Sequence, residues 1–166
     1  HSLENRVTDK QEPQRQFMVQ RIYVKDLSFE APNSPTIFQE NWTPEINVGL
    51  NSEIRRVAEN LIELALQVTV DAKHEGKSVF MVEVVQGGVF MVQGFTEEET
   101  DAVMNIGAAN VLFPYARETV SDLVSRGSFP QFVLQPVNFE ALYAQQRQAR
   151  AAQAKQAEGE EADTTH

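Results

Sequence analysis

Few residues in this chain are of the types that chemistry favours. The three histidines are His1, His74 and His166. Two stand at the ends and the third lies in the charged turn "KHEGK", so none is set where a buried, oriented general base would be. There is no cysteine, which removes disulfides, thiolate catalysis and cysteine-bound zinc together. Serine and threonine nucleophiles lack a base partner, no histidine pair has metal-ligand spacing, and "QGGVF" has neither the spacing nor the lysine of a phosphate loop. Carboxylates remain. The candidates Asp26, Glu30 and Glu83 read as residues of an exposed sheet face, instead of a polar cleft that would drive their pKa values apart. The expectation is a protein that is not an enzyme, with no catalytic residue, no metal and no cofactor.

The elements that position these carboxylates follow from periodicity. In "VKDLSFE" (24–30) an extended backbone places Asp26, Ser28 and Glu30 on one face and Lys25, Leu27 and Phe29 on the other. This is the end of a long strand that begins near Phe17, with Val19 and Tyr23 on one side and Met18, Ile22 and Val24 on the other. Pro32, Pro35 and Pro44 break pairing in "APNSPTIFQENWTPE". This connection is rich in large apolar groups for a loop, with Ile37, Phe38 and Trp42, which either tuck onto the core as a lid or form a binding surface.

"EINVGL" and "NLIELALQVTVDA" read as strands joined through the polar "NSEIRRVAE", and "SVFMVEVVQGGVFMVQGF" as a further strand region. Gly87 and Gly88 fit either a hairpin turn or a bulge within one strand. The period then changes. Thr96 before three glutamates caps a short helix that ends near Gly107. Asn110 caps a second helix, with Pro114 in its first turn, an apolar stripe through Leu112 and Leu123, and Gly127 as its stop. Asn138 caps a last helix beginning "FEALYAQQ". Residues 1–16 are expected to be a disordered segment or the remnant of a trimmed tag, residues 17–145 one domain, and 146–166 a flexible polar-to-acidic tail.

Composition limits the partners. At 166 residues with 42% hydrophobic content the chain suits one domain. A net charge of -10 argues against a nucleic-acid binder and allows basic partners. No apolar run approaches the roughly 20 residues of a membrane span, and the start is polar. Without cysteines, a reducing compartment and a cytoplasmic location are expected.

The strings "QRIYVKDLSFEAPN" (20–33), "GGVF" (87–90), "NVLFPYARETVSDLVSRGSFPQ" (110–131) and "PVNFEALY" (136–143), in this order, resemble the SecB family of protein-export chaperones. The resemblance covers about residues 17–145. It implies an α+β fold, a four-stranded antiparallel sheet packed with two main helices, assembled as a homotetramer, a dimer of dimers. It favours the bulge at Gly87 and Gly88. It also implies an ATP-independent holdase that binds unfolded secretory precursors and delivers them to SecA, the export motor. In this family SecA docks a basic, zinc-bearing tail on the acidic outer sheet face, and Asp26, Glu30, Met81 and Glu83 match that face. Ile37, Phe38, Trp42, Leu142 and Tyr143 are the expected contacts to unfolded clients. The readings from other classes are a small-ligand carrier and an assembly adaptor that ignores unfolded chains.

Overall fold

Apolar residues at every second position of 62–72, and of 80–92 apart from Gln86 and Gly88, give two strands with one face that must leave water. In the computed structural model, which describes residues 14–41 and 43–163, these are β3 (Leu61–His74) and β4 (Lys77–Gln93). The even-numbered residues of 62–72 and 80–92, among them Leu64, Leu66, Val68, Val82, Val84 and Phe90, are buried. Glu75 and Gly76, both at positive φ (49° and 77°), form the two-residue turn between them, a backbone that glycine adopts without strain. With β1 (Gln16–Glu30) and β2 (Glu45–Ala58) they make one four-stranded antiparallel sheet in the order β1-β4-β3-β2. The α+β class expected from the sequence is the class observed.

The strand bounds differ from expectation in one respect. "NSEIRRVAE" is no separate connector: all but its last residue continue β2, each residue facing a partner on β3 up to Arg56. Its alternation of Ser52, Ile54 and Arg56 carries no apolar stripe, so it reads as loop until β3 supplies a partner edge.

Gly87 and Gly88 are neither turn nor bulge. They sit inside β4, in register with Tyr23 and Ile22 on one side and Ala65 and Leu64 on the other. They are glycines because neighbours approach closely: a Cβ at 87 would lie 2.3 Å from Tyr23 Cε2, and one at 88 2.8 Å from Leu112 Cδ2. Two bulges lie on β1, where Gln20 and Lys25 are the extra residues. Each bulge re-phases the strand. Val19, Ile22 and Val24 therefore share the inner face, opposite Phe90, Gly88 and Gln86, while Met18 and Tyr23 lie outside.

The helical part begins as expected, with Thr96 in a capping box with Glu99 over α1 (Glu97–Ala102). It does not stop at Gly107. A π-helical segment (Val103–Ala108) joins α1 to α2 (Ala109–Arg126) without a break. Asn105 Nδ2 donates to the Asp101 carbonyl at 2.8 Å, which satisfies an acceptor that the widened turn leaves free. Asn110 is thus interior and caps nothing, and Pro114 lies inside α2. Leu112, Ala116, Val120 and Val124 form the buried stripe of α2, which rests over β4 and β3. Gly127 ends it, and Asn138 caps α3 (Phe139–Asp163) by accepting from the Ala141 amide at 3.0 Å.

The start of α3 is anchored by buried Phe139 and Tyr143, and Arg147 Nη2 reaches Glu98 Oε1 of α1 at 2.6 Å. Where a flexible tail was expected from residue 146, α3 continues through Asp163 with every side chain exposed. The reason is propensity: "AQQRQARAAQAKQAE" is made of alanine and straight-chain residues that lose little entropy in a helix.

Candidate functional site

Two surfaces combine the candidate residues, one on each side of the sheet. On the helical side β2 is one of the two edge strands. The register puts Ile46, Val48, Leu50 and Ile54 on its inner face, opposite Ala72, Val70, Val68 and Leu64. Because α2 rests over β4 and β3, this face is left open: Ile46 is 39% exposed, Val48 54% and Ile54 39%.

Above it the chain builds three connected hollows. The first, about 510 Å³, runs from Phe38 and Pro44 to Phe80, Pro130 and Phe132. It shares Ile46 and Phe132 with the second, about 370 Å³, walled by Phe113 and Leu134. Leu50 links this to the third, about 490 Å³, bounded by Ile54, Asp101, Leu142 and Tyr143. From Ile46 to Ile54 the floor spans eight residues, about 27 Å at the rise of a strand.

The walls are held by specific contacts. At one end an aromatic chain runs from Phe80 to Phe129, ring centres 5.2 Å apart, and on to Phe38 at 5.5 Å. Ser121 Oγ donates to the Phe132 carbonyl at 2.6 Å, tying the connector 127–138 to α2. At the other end the Tyr143 hydroxyl donates to Asp101 Oδ2 at 3.0 Å. Burial, and then this bond to a carboxylate, push the Tyr143 phenol above its ordinary range.

Of the expected client contacts, Phe38 is half exposed in the first hollow, and Leu142 and Tyr143 line the third. Ile37 is 2% exposed and belongs to the core. It anchors the loop from beneath and presents nothing to a groove. Trp42 lies outside the described residues. Sequence reasoning missed the floor itself. The alternation of Ile46, Val48 and Leu50 was visible, but whether a helix covers that face depends on where α2 rests.

On the outer side, Glu30 faces Met81, Ser28 faces Glu83 and Asp26 faces Val85 across β1 and β4. The four residues expected together are thus brought to one face. Asp26, Glu30 and Met81 are exposed, and Glu83 accepts from Gln67 Nε2 at 2.7 Å. Asp71, opposite Met81 on β3, extends the acidic surface. Sequence alternation places Asp71 outward, but only the register reveals its neighbour. Lys25 departs from its expected greasy face, because the bulge turns it outward to Glu63, Nζ to Oε1 at 2.8 Å.

Nothing here assembles catalytic geometry, and among the described residues no cluster of three or more His, Asp or Glu could hold a metal. The model of the family "Preprotein translocase subunit SecB" matches residues 10–150. The chain belongs to the SecB family.

A SecB protein of Methylococcus capsulatus is 46% identical over 149 residues, 90% of this chain and 96% of that one. One of Nitrosococcus oceani is 51% identical over 148 residues, 88% and 90% of the two chains. Both are described as protein-export protein SecB. Among solved structures, a Mycobacterium tuberculosis SecB-like chaperone in complex with a ChAD peptide from the HigA1 antitoxin shares the fold. Its TM-score is 0.58 at 17% identity, covering 74% of this chain and 91% of that chain. SecB is a family of export chaperones and not a class of enzymes, and chaperoning of proteins for export is this chain's function. Among the described residues no helix is long and apolar enough to cross a membrane.

Proposed function

We propose that this SecB chain holds unfolded secretory precursors in the groove over β2, without ATP, and hands them to SecA at the acidic outer face. The observation that carries this is the continuous open floor of Ile46, Val48, Leu50 and Ile54. An unfolded chain offers apolar side chains without fixed order, and a long open trough takes them without demanding a sequence. The SecB-like chaperone of the same fold is described as bound to a peptide, which supports the reading. Phe38, Leu142 and Tyr143 contribute the ends, and Trp42 is proposed as a further client contact.

Asp26, Glu30, Met81 and Glu83 form the dock for the basic, zinc-bearing tail of SecA. A flat face with exposed carboxylates beside one exposed methionine suits a cationic segment with a small apolar contact. The working particle is a homotetramer, a dimer of dimers, in the cytoplasm. Val19, Val24 and Leu27 on the inner face of β1 are each over 40% exposed, and Tyr115 on α2 is 49% exposed. A second copy covering this strip removes the apolar surface that a monomer leaves in water. Several grooves on one particle raise one another's effective concentration for a long client.

Light scattering from a denatured model protein tests the holding role. The chaperone suppresses aggregation at near-stoichiometric amounts without nucleotide; scattering unchanged by its addition removes the reading in favour of a carrier or adaptor.

A further inference from the structure

The outer face carries one carboxylate that no partner can reach. Glu63, on β3, is 6% exposed. It sits between Arg55 on β2 and Val89 on β4. Its oxygens accept from the Tyr23 hydroxyl and from Lys25 Nζ at 2.8 Å, and Arg55 Nη2 lies 3.8 Å away. Three strands therefore converge on one buried acid. An acid so enclosed contributes no contact to a docking partner. Its effect falls on the cations it holds.

Lys25 is the critical one. The β1 bulge turns it onto the acidic face, next in sequence to Asp26. Left free, its ammonium would sweep over the carboxylates that a cationic segment must meet. Together Lys25, Arg55 and Glu63 carry one net positive charge; without Glu63 they carry two.

We propose that Glu63 is a positioning residue for the acidic dock: by holding Lys25 and offsetting its charge, it sets how tightly a cationic segment binds. This rests on the reading of the face as the SecA dock. A unit charge about one Debye length from a bound partner changes affinity about twofold. Charge arithmetic then fixes the signs. Lys25→Met, which removes the cation, tightens binding about twofold. Glu63→Gln, which frees it, weakens binding two- to threefold. The double variant has the wild-type net charge and returns to wild-type affinity.

The test is calorimetric titration of a synthetic peptide of the SecA tail, loaded with zinc, into the assembled chaperone at low salt, with melting curves of each variant. Lys25→Met breaks an ion pair, so its melting temperature falls or holds while affinity rises. A merely structural network predicts that stability and affinity fall together, with no restoration in the double variant. That result, or unchanged affinity in Lys25→Met, overturns the proposal even if Glu63→Gln fails to fold. If the wild-type protein binds no peptide, the dock itself is wrong and the proposal falls with it.

Discussion

Replacing Ile46, Val48 and Ile54 together by threonine tests the groove at its floor. Threonine keeps the β-branched shape and strand preference, so the sheet is retained while the apolar contact is lost. Fully burying such a side chain contributes about 1.5–3 kcal/mol. These three are 39%, 54% and 39% exposed before any client arrives, so a bound segment gains roughly half of that, about 1 kcal/mol each. If the sites add, the loss approaches 3 kcal/mol, on the order of 100-fold in affinity for one extended segment. The assay is fluorescence anisotropy of a labelled, permanently unfolded protein, with a thermal melt as control. The melt should shift only a few degrees, because the side chains are half in water already. Affinity within twofold of wild type, in a folded and assembled protein, would refute the groove as the client site.

Native mass spectrometry at micromolar concentration should show a tetramer near 75 kDa, four times 18.7 kDa, and Val24→Glu with Leu27→Glu should shift it to smaller species. Charge reversal at Asp26 and Glu83 should abolish binding of the SecA tail while suppression of client aggregation persists; joint loss in an assembled protein would merge the two sites. Hydrogen bonds from Lys25 and Tyr23 hold the Glu63 carboxyl below its ordinary range despite burial. Its stabilisation is therefore full above the ordinary carboxylate pKa and lost as pH falls through the lowered folded value. Denaturant midpoints of Glu63→Gln should decline less than wild type between neutral and acid pH.

The sequence exposed whatever depended on neighbours along the chain. The Thr96 cap, the Asn138 cap, the Gly127 stop and the period of β3 and β4 are local, and all are present. What failed depended on partners across the sheet or on a local competition. The bulges at Gln20 and Lys25 arise from pairing with β4, so a strict alternation misassigned Val19, Met18 and Lys25. Gly107 looked like an end because glycine is a poor helix former, yet packing and the Asn105 side chain carry the helix past it. Among the site residues, alternation within "VKDLSFE" put Asp26 and Glu30 on one face, and the family resemblance added Met81 and Glu83. The exposed floor of β2 was not, because an uncovered face is a fact about the helix that lies elsewhere.

The distal part of α3 has a thermodynamic consequence of its own. A helix with no buried side chain gains nothing from the core, so its order does not share the cooperative unfolding of the sheet. Its amides should exchange with solvent at rates set by fraying, far ahead of those in β3 and β4. On warming, it should unwind gradually through temperatures at which the rest of the protein stands unchanged. The far-ultraviolet helical signal would then slope downward well before the main transition, and that slope belongs to a segment with no side chain in the core.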